Sequence, residues 1–278
     1  MKKILVPTDF SSQAENALKV AAQLANRFNG EIYLLHMLEL PMQLIGTGSA
    51  IGGSNNNLPE ALYFMKLAKK RFTTLLNAPY LKGIVVHETV EFHQAFEGIM
   101  EVSEKHNCDI IIMGSHGATG FKEMFIGSNT EKVVRNSHIP VLVIKNEIEN
   151  FEVDDLVFAT DCDINNKHTL SQAIRFAEKI GAKIHMVYIN TANNFKTSED
   201  AMQCFEDFAE GIDFKDYTFN VYNDLTVEKG VLNFAKKIEA GLIGISTHGR
   251  KGLAHFFNGS ISEDLVNHAQ RPVVTFKI

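Results

Sequence analysis

The chain contains itself twice, and that repeat constrains its fold more than any other feature. "ILVPTDFSSQAENALKVAAQLANRFNGEIYLLHML" near the start matches "LVFATDCDINNKHTLSQAIRFAEKIGAKIHMVYI" after residue 155. Thr8-Asp9 pairs with Thr160-Asp161, Leu18 with Leu170 and Ala25 with Ala177, all at a spacing of 152. Further on, Gly98/Gly230, Gly117/Gly249, Gly127/Gly259 and Pro140/Pro272 are 132 apart. The second copy is therefore 20 residues shorter between its second and third strands, opposite the Gly/Ser/Asn-rich "PMQLIGTGSAIGGSNNNLP" (41–59), which reads as a loop. A tandem repeat of this length predicts two similar units, 1–149 and 150–278, joined in the polar "KNEIENFEVDD". At 278 residues the chain is long enough to give each unit a full core.

Within each copy strand and helix patterns alternate. In the first, Ile4-Leu5-Val6 is a short apolar strand. Ser12-x-x-Glu15 reads as a capping box opening a helix with apolar residues at Ala14, Ala17, Leu18, Ala21, Ala22, Leu24 and Ala25. The strand "IYLLHML", a helix over 58–76, the strand "GIVVHETV", a helix through Phe96, Ile99, Met100 and Val102, the strand "DIIIM", a glycine loop, a short helix and "PVLVI" follow. The second copy repeats this with "DLVFAT", "KIHMVYI", "YTFNVY", "GLIGI" and "PVVTF". Short, almost wholly apolar strands separated by helices predict parallel strands buried on both faces, hence two doubly wound α/β units.

In such sheets ligands bind beyond the carboxyl ends of the strands. Two segments of each copy fall there: Thr8-Asp9 after the first strand, and "GSHGATGFKEMFIGS" (114–128) after the fourth, matched by "STHGRKGLAHFFNGS" (246–260). Glycines in such a loop admit positive φ and let backbone N–H groups approach an anion with no Cβ in the way. Gly127-Ser128 precedes "NTEKVVRN", so it opens a helix whose N-terminus favours phosphate, with Ser128 as cap or phosphate donor. Taken singly, these residues have plainer readings. Asp9 reads equally well as a helix cap, the glycines as turn formers, and His116 and His248 as partners of their own turns. His36, on an apolar strand, reads as a core residue, and no His/Cys/carboxylate cluster has metal-ligand spacing.

Composition narrows the function. A net charge of −6 argues against nucleic acid as a partner. Three separated cysteines (Cys108, Cys162, Cys204) without a C-x-x-C argue against a disulfide framework or thiolate metal site and fit a reducing cytoplasm. No apolar run has the length of a membrane span, and "MKKILVPTDF" reaches Pro and Asp too early for a signal peptide, so a cytoplasmic protein is expected.

G-x-x-G-(nine residues)-G-S, here Gly114, Gly117, Gly127 and Ser128, resembles the nucleotide-binding signature of the universal stress protein family. "KKILVPTDFS" and "PVLVIK" are similar to that family's first and last strands, and the resemblance spans nearly the whole chain as a tandem pair. It implies a five-stranded parallel sheet of order 3-2-1-4-5 in each half, of the adenine nucleotide alpha hydrolase-like type. It implies pairing of the halves through their last strands, with homodimerisation of the whole chain open. It also implies ATP, or AMP or ADP, with or without Mg, as ligand. Carried over by position, Asp9 meets the adenosine, flanked by Pro7 and Thr8, and the backbone near Met37 meets the adenine. Met113 and Gly114 lie beside the ribose and phosphates, with His116 in the loop; Gly117, Gly127, Ser128 and Asn129 hold the phosphates.

The second half keeps Asp161, Gly249, Gly259 and Ser260 as a possible second site. It replaces the first glycine by Ser246, whose Cβ is expected to obstruct backbone approach, and brings in Arg250 and Lys251. With no G-x-x-x-x-G-K-[ST], the chain reads as an ATP-binding stress-response protein rather than an efficient kinase or NTPase. A weak ATPase and a nucleotide-independent pseudo-dimeric scaffold are the alternatives.

Overall fold

The computed structural model describes residues 1–38, 58–92, 94–115, 127–247 and 265–277. The first copy contributes β1 (Lys3–Pro7), α1 (Ser12–Phe28), β2 (Glu31–Met37), α2 (Leu58–Leu76), β3 (Val85–Glu91), α3 (Ala95–Lys105), β4 (Ile110–Gly114), α4 (Ser128–Asn136) and β5 (Val141–Ile144). The second contributes β6 (Asp155–Ala159), α5 (Lys167–Ile180), β7 (Lys183–Asn190), α6 (Ser198–Ala209), β8 (Tyr217–Asn223), α7 (Val227–Lys237), β9 (Leu242–Thr247) and β10 (Val273–Lys277).

All ten strands form one sheet, ordered β3-β2-β1-β4-β5-β10-β9-β6-β7-β8. Each half reads 3-2-1-4-5 with parallel pairing, the doubly wound arrangement. Alternation along each strand divides the side chains between two layers. Ile4 and Val6 face the layer of α1, α5 and Phe72, while Leu5 faces the layer of Ile99, Val133 and Phe234. Both layers cross from one half to the other, so neither half has a private core.

The crossing lies at β5 and β10, which pair antiparallel with Leu142 opposite Val274, Val141 opposite Thr275 and Val143 opposite Val273. Val274 is the repeat equivalent of Leu142, so a pseudo-twofold axis passes between a residue and its own copy. Side chains obey the same symmetry. Lys145 donates to the Asn267 carbonyl, and its equivalent Lys277 donates to the Arg135 carbonyl at 2.7 Å. Each amine thus meets a carbonyl of the other half, and the Arg135 carbonyl lies in the last turn of α4, where the dipole favours a cation. Apolar strands that would be bare edges in an isolated half are covered. Gln23 of α1 fastens the connection by donating to the Ile148 and Glu149 carbonyls and accepting from the Phe151 amide.

Two local expectations need correction. The cap of α1 is Ser11, whose hydroxyl accepts from the Ala14 amide at 3.2 Å; Ser12 is already helical and turns its hydroxyl to Gln13. The chain reverses at Phe10, which places the extended cap residue one position earlier than the S-x-x-E pattern suggests. Burial on both faces also fails at β3, an edge strand of the sheet whose Val85 is exposed. The 41–59 loop lies almost wholly outside the described residues.

Candidate functional site

At the carboxyl end of β1 the chain makes a tight turn. The Phe10 amide donates to Thr8 Oγ1 and the Ser11 amide to Asp9 Oδ1, both at 3.0 Å, while Phe10 itself sits at φ 63°. A left-handed residue with a side chain costs about 1–2 kcal/mol, and the two side-chain acceptors offset it. The second half repeats the turn. Cys162 donates to Thr160 Oγ1 at 3.0 Å, Asp163 to Asp161 Oδ1 at 3.1 Å, and Cys162 has φ 60°.

Next to β1 in the sheet, β4 ends in buried Met113 and Gly114. The α4 helix opens beside it. Its N-cap is Gly127 rather than Ser128, with extended backbone (φ −63°, ψ 145°), and no side chain caps the helix. Gly127 donates to the Ser115 carbonyl at 2.7 Å, and Thr130 Oγ1 donates to the Gly114 carbonyl at 3.0 Å, tying the first turn of α4 to the end of β4. Helix first-turn N–H groups have no intrahelical acceptor, so Ser128 and Asn129 open a helix end suited to an anion. On the other side of β1, β2 ends at half-buried Met37. The strand order β2-β1-β4 therefore gathers Pro7, Thr8, Asp9, Met37, Met113, Gly114, Gly127, Ser128 and Asn129 at one end of the sheet. His116, Gly117, Gly249, Gly259 and Ser260 lie outside the described residues.

The first glycine also has a packing role. A Cβ on Gly114 would come within 2.8 Å of the carbonyl carbon and oxygen of Gln13, so glycine lets the strand end press against the start of α1. Neither Gly114 nor Gly127 has positive φ. In the second half the equivalents of Gln13 and Ala14 belong to a 3-10 turn, Ile164–Asn166, and α5 begins only at Lys167. Ser246 is buried there, and its hydroxyl donates to Thr169 Oγ1 at 2.8 Å. Its hydroxyl is thereby turned into the fold toward α5.

Flanking the first turn is a cleft of about 500 Å³ lined by Thr8, Asp9, Phe10, Ser11, Glu15, Arg71, Thr74 and Leu75. The Arg71 guanidinium stands 5.5 Å from the centre of the Phe10 ring, which packs against Phe72 and His36. His36 Nδ1 lies 2.7 Å from the Thr8 carbonyl. Burial is the main cause holding the His36 pKa below its ordinary value, with Arg71 adding to it. Phe10 and Arg71 carry no motif, and only the folded contact between the first turn and α2 identifies them. In the second half, Ala201 and Phe205 of α6 are buried as Ala68 and Phe72 of α2 are, which puts Cys204 in the place of Arg71. The chain beyond β7 also folds back there. The Asn190 side chain donates to the Lys196 carbonyl and accepts from its amide, and Tyr188 donates to the Asn194 carbonyl at 2.9 Å.

The architecture and strand-end geometry define a doubly wound α/β protein in which a helix start capped by no side chain opens beside the end of β4, next to β1 in the sheet. The family model described as "Universal stress protein family" matches residues 1–145 and 225–277, and the chain belongs to that family. Universal stress protein MJ0577 of Methanocaldococcus jannaschii is 34% identical over 155 residues, covering 52% of this chain and 94% of that protein. Universal stress protein Slr1230 of Synechocystis sp. is 23% identical over the full length of both chains. Among solved structures, a universal stress protein from Archaeoglobus fulgidus superposes with a TM-score of 0.66 over 99% of this chain and 96% of its own, at 23% identity. No helix among the described residues is long and apolar enough to cross a membrane.

Proposed function

We propose that the first half binds an adenine nucleotide, ATP or its relatives AMP and ADP, and that the chain serves stress response through that bound state rather than through efficient turnover. One observation carries this reading: the N-terminus of α4, capped by no side chain, opens beside the ends of β4 and β1 with Asp9 at the neighbouring turn. In this reading the N–H groups of Ser128 and Asn129 receive phosphate oxygens; Gly127, its own N–H held by the Ser115 carbonyl, opens that helix end without a side chain, joined by Gly117, with His116 alongside. Asp9 accepts from the ribose hydroxyls, Thr8 and Pro7 fix its turn, Met113 and Gly114 form the floor, and the backbone at Met37 meets the adenine edge. Arg71 supplies a cation at the adjoining cleft. Any Mg²⁺ would arrive with the phosphates, since that ion keeps several waters and is bound mainly through substrate phosphates. Asp161 keeps the equivalent turn in the second half, but the folded-back chain after β7 favours a single working site.

The continuous sheet supports a second reading, in which the paired halves act as a scaffold without nucleotide. Thermal melting separates the two. At a hundredfold excess over its dissociation constant a ligand adds about 2.7 kcal/mol of stability. ATP should therefore raise the melting temperature, with GTP, which lacks the adenine edge, doing so less. No shift with any nucleotide at millimolar concentration would favour the scaffold.

A further inference from the structure

The two halves differ most sharply where the first turn meets the second helix. In the first half Phe10 lies beneath Arg71; in the second, the equivalent positions are Cys162 and Cys204, 42 residues apart in sequence and on different elements. Cys204 Sγ lies 3.8 Å from the Cys162 carbonyl and 4.0 Å from the Asp161 carbonyl, which sets its sulfur against the stretch of backbone that carries Cys162. Cys162 is buried, whereas Cys204 is half-exposed. We propose that Cys162 and Cys204 form a reversible intramolecular disulfide, which makes the second half a site of oxidative modification by oxidants of the peroxide class.

The order of events follows from exposure. Cys204 is the thiol a peroxide can reach. Its sulfur attacks the peroxide, the O–O bond breaks, an alcohol or water leaves, and Cys204 becomes a sulfenic acid. Cys162 then attacks that sulfur. The S–S bond forms, the S–OH bond breaks, and hydroxide leaves with the Cys162 proton as water. Two thiols together lose two electrons and two protons, and the peroxide oxygens take up the electrons. Burial, reinforced by the neighbouring Cys204, holds the Cys162 thiol well above its ordinary pKa, which suits a resolving thiol better than a first attacker. The third cysteine, Cys108, is buried in the first half and pushed up to about 11 by burial, so it stays reduced. Closing the bond pins α6 to the turn that presents Asp161, replacing a soft contact by a covalent one across a loop of 42 residues. A dithiol reductant reverses it.

The test is peroxide treatment of the reduced, full-length protein, followed by denaturation, alkylation and peptide mass mapping. The three alkylatable thiols should fall to one, the intact mass should drop by two hydrogens, and a single linked pair should join the Cys162 and Cys204 peptides. Dithiothreitol should restore all three. Cys204→Ser should abolish the cross-link, Cys108→Ser should leave it intact, and oxidation should slow amide exchange over 198–209. Mapping of the parent protein decides the matter even if a serine variant folds poorly. Three surviving thiols at peroxide levels that oxidise glutathione, oxygen addition without a cross-link, or a bond to Cys108 would overturn the proposal.

Discussion

The two halves share one turn and solve its surroundings differently. At the ends of β1 and β6 the geometry is the same down to a left-handed residue, φ 63° at Phe10 and 60° at Cys162. Around it, Gly114 pressed against α1 becomes Ser246 bonded to Thr169, and Arg71 over Phe10 becomes the Cys204–Cys162 thiol pair. A duplicated fold thus holds its sheet register and its carboxylate-bearing turn fixed. The helix starts and the contacts beside the turn are free to diverge. The difference also separates two jobs of a glycine signature: Gly114 lets the strand end pack against α1, while Gly127 is the N-cap of α4 and leaves that helix start without a side-chain cap.

The largest expected effect concerns the nucleotide. Each charge-assisted hydrogen bond lost to phosphate costs roughly 1.5–3 kcal/mol, and valine adds steric exclusion. Gly117→Val and Gly127→Val should each lower ATP affinity at least tenfold, whereas Gly249→Val and Gly259→Val should leave it nearly unchanged. Calorimetry on the four variants, with circular dichroism to confirm folding, reads the contrast. Equal damage from both pairs would erase the asymmetry.

A reciprocal swap comes next. Gly114→Ser places a Cβ 2.8 Å from the Gln13 backbone, which no side-chain rotation relieves, and should destabilise the protein by about 1–3 kcal/mol. Ser246→Gly loses one buried hydroxyl bond, worth about 1 kcal/mol, and Thr169 keeps its bond to the Asn166 carbonyl. Urea unfolding should rank the first swap as the costlier. The opposite ranking would show that Gly114 is there for the ligand rather than for α1.

Smaller effects follow from titration. Burial lowers Lys145 to about 8 in the folded seam, against about 10.4 when unfolded. The unfolded chain binds more protons between those values, so this group's contribution to stability rises as pH climbs from about 8 to 10. Lys145→Met should flatten that rise in thermal melts. His36 titrates lower when folded, so its contribution is present above about 6.5 and declines as pH falls below it. Tyr188, its counterpart, carries no such proton uptake. Amide exchange at pH 5 against pH 7 should loosen the Phe10 turn more than the Cys162 turn, and His36→Gln should remove the difference.

The repeat made much of this legible in advance. Alternating apolar strands and amphipathic helices fixed the class, and the spacings of 152 and 132 placed the ends of β1, β4, β6 and β9. Asp9 and the 127–129 helix start were readable because a topological rule puts such segments at strand ends. Contacts between elements distant in sequence were not readable. Nothing in a 42-residue separation announces that Cys162 and Cys204 touch, and no motif sets Arg71 over Phe10. The packing constraint on Gly114 was not readable because the atoms that exclude a Cβ belong to Gln13, about a hundred residues away and in no pattern with it. The capping box slipped by one residue because the left-handed Phe10 was not visible in the local pattern.

The central claim is that one half of a symmetric pair carries the nucleotide. Isothermal titration of the parent protein with ATP counts the sites directly. One ATP per chain, abolished by Gly127→Val and unaffected by Gly259→Val, is the predicted result; two per chain, or one that survives Gly127→Val, would contradict it.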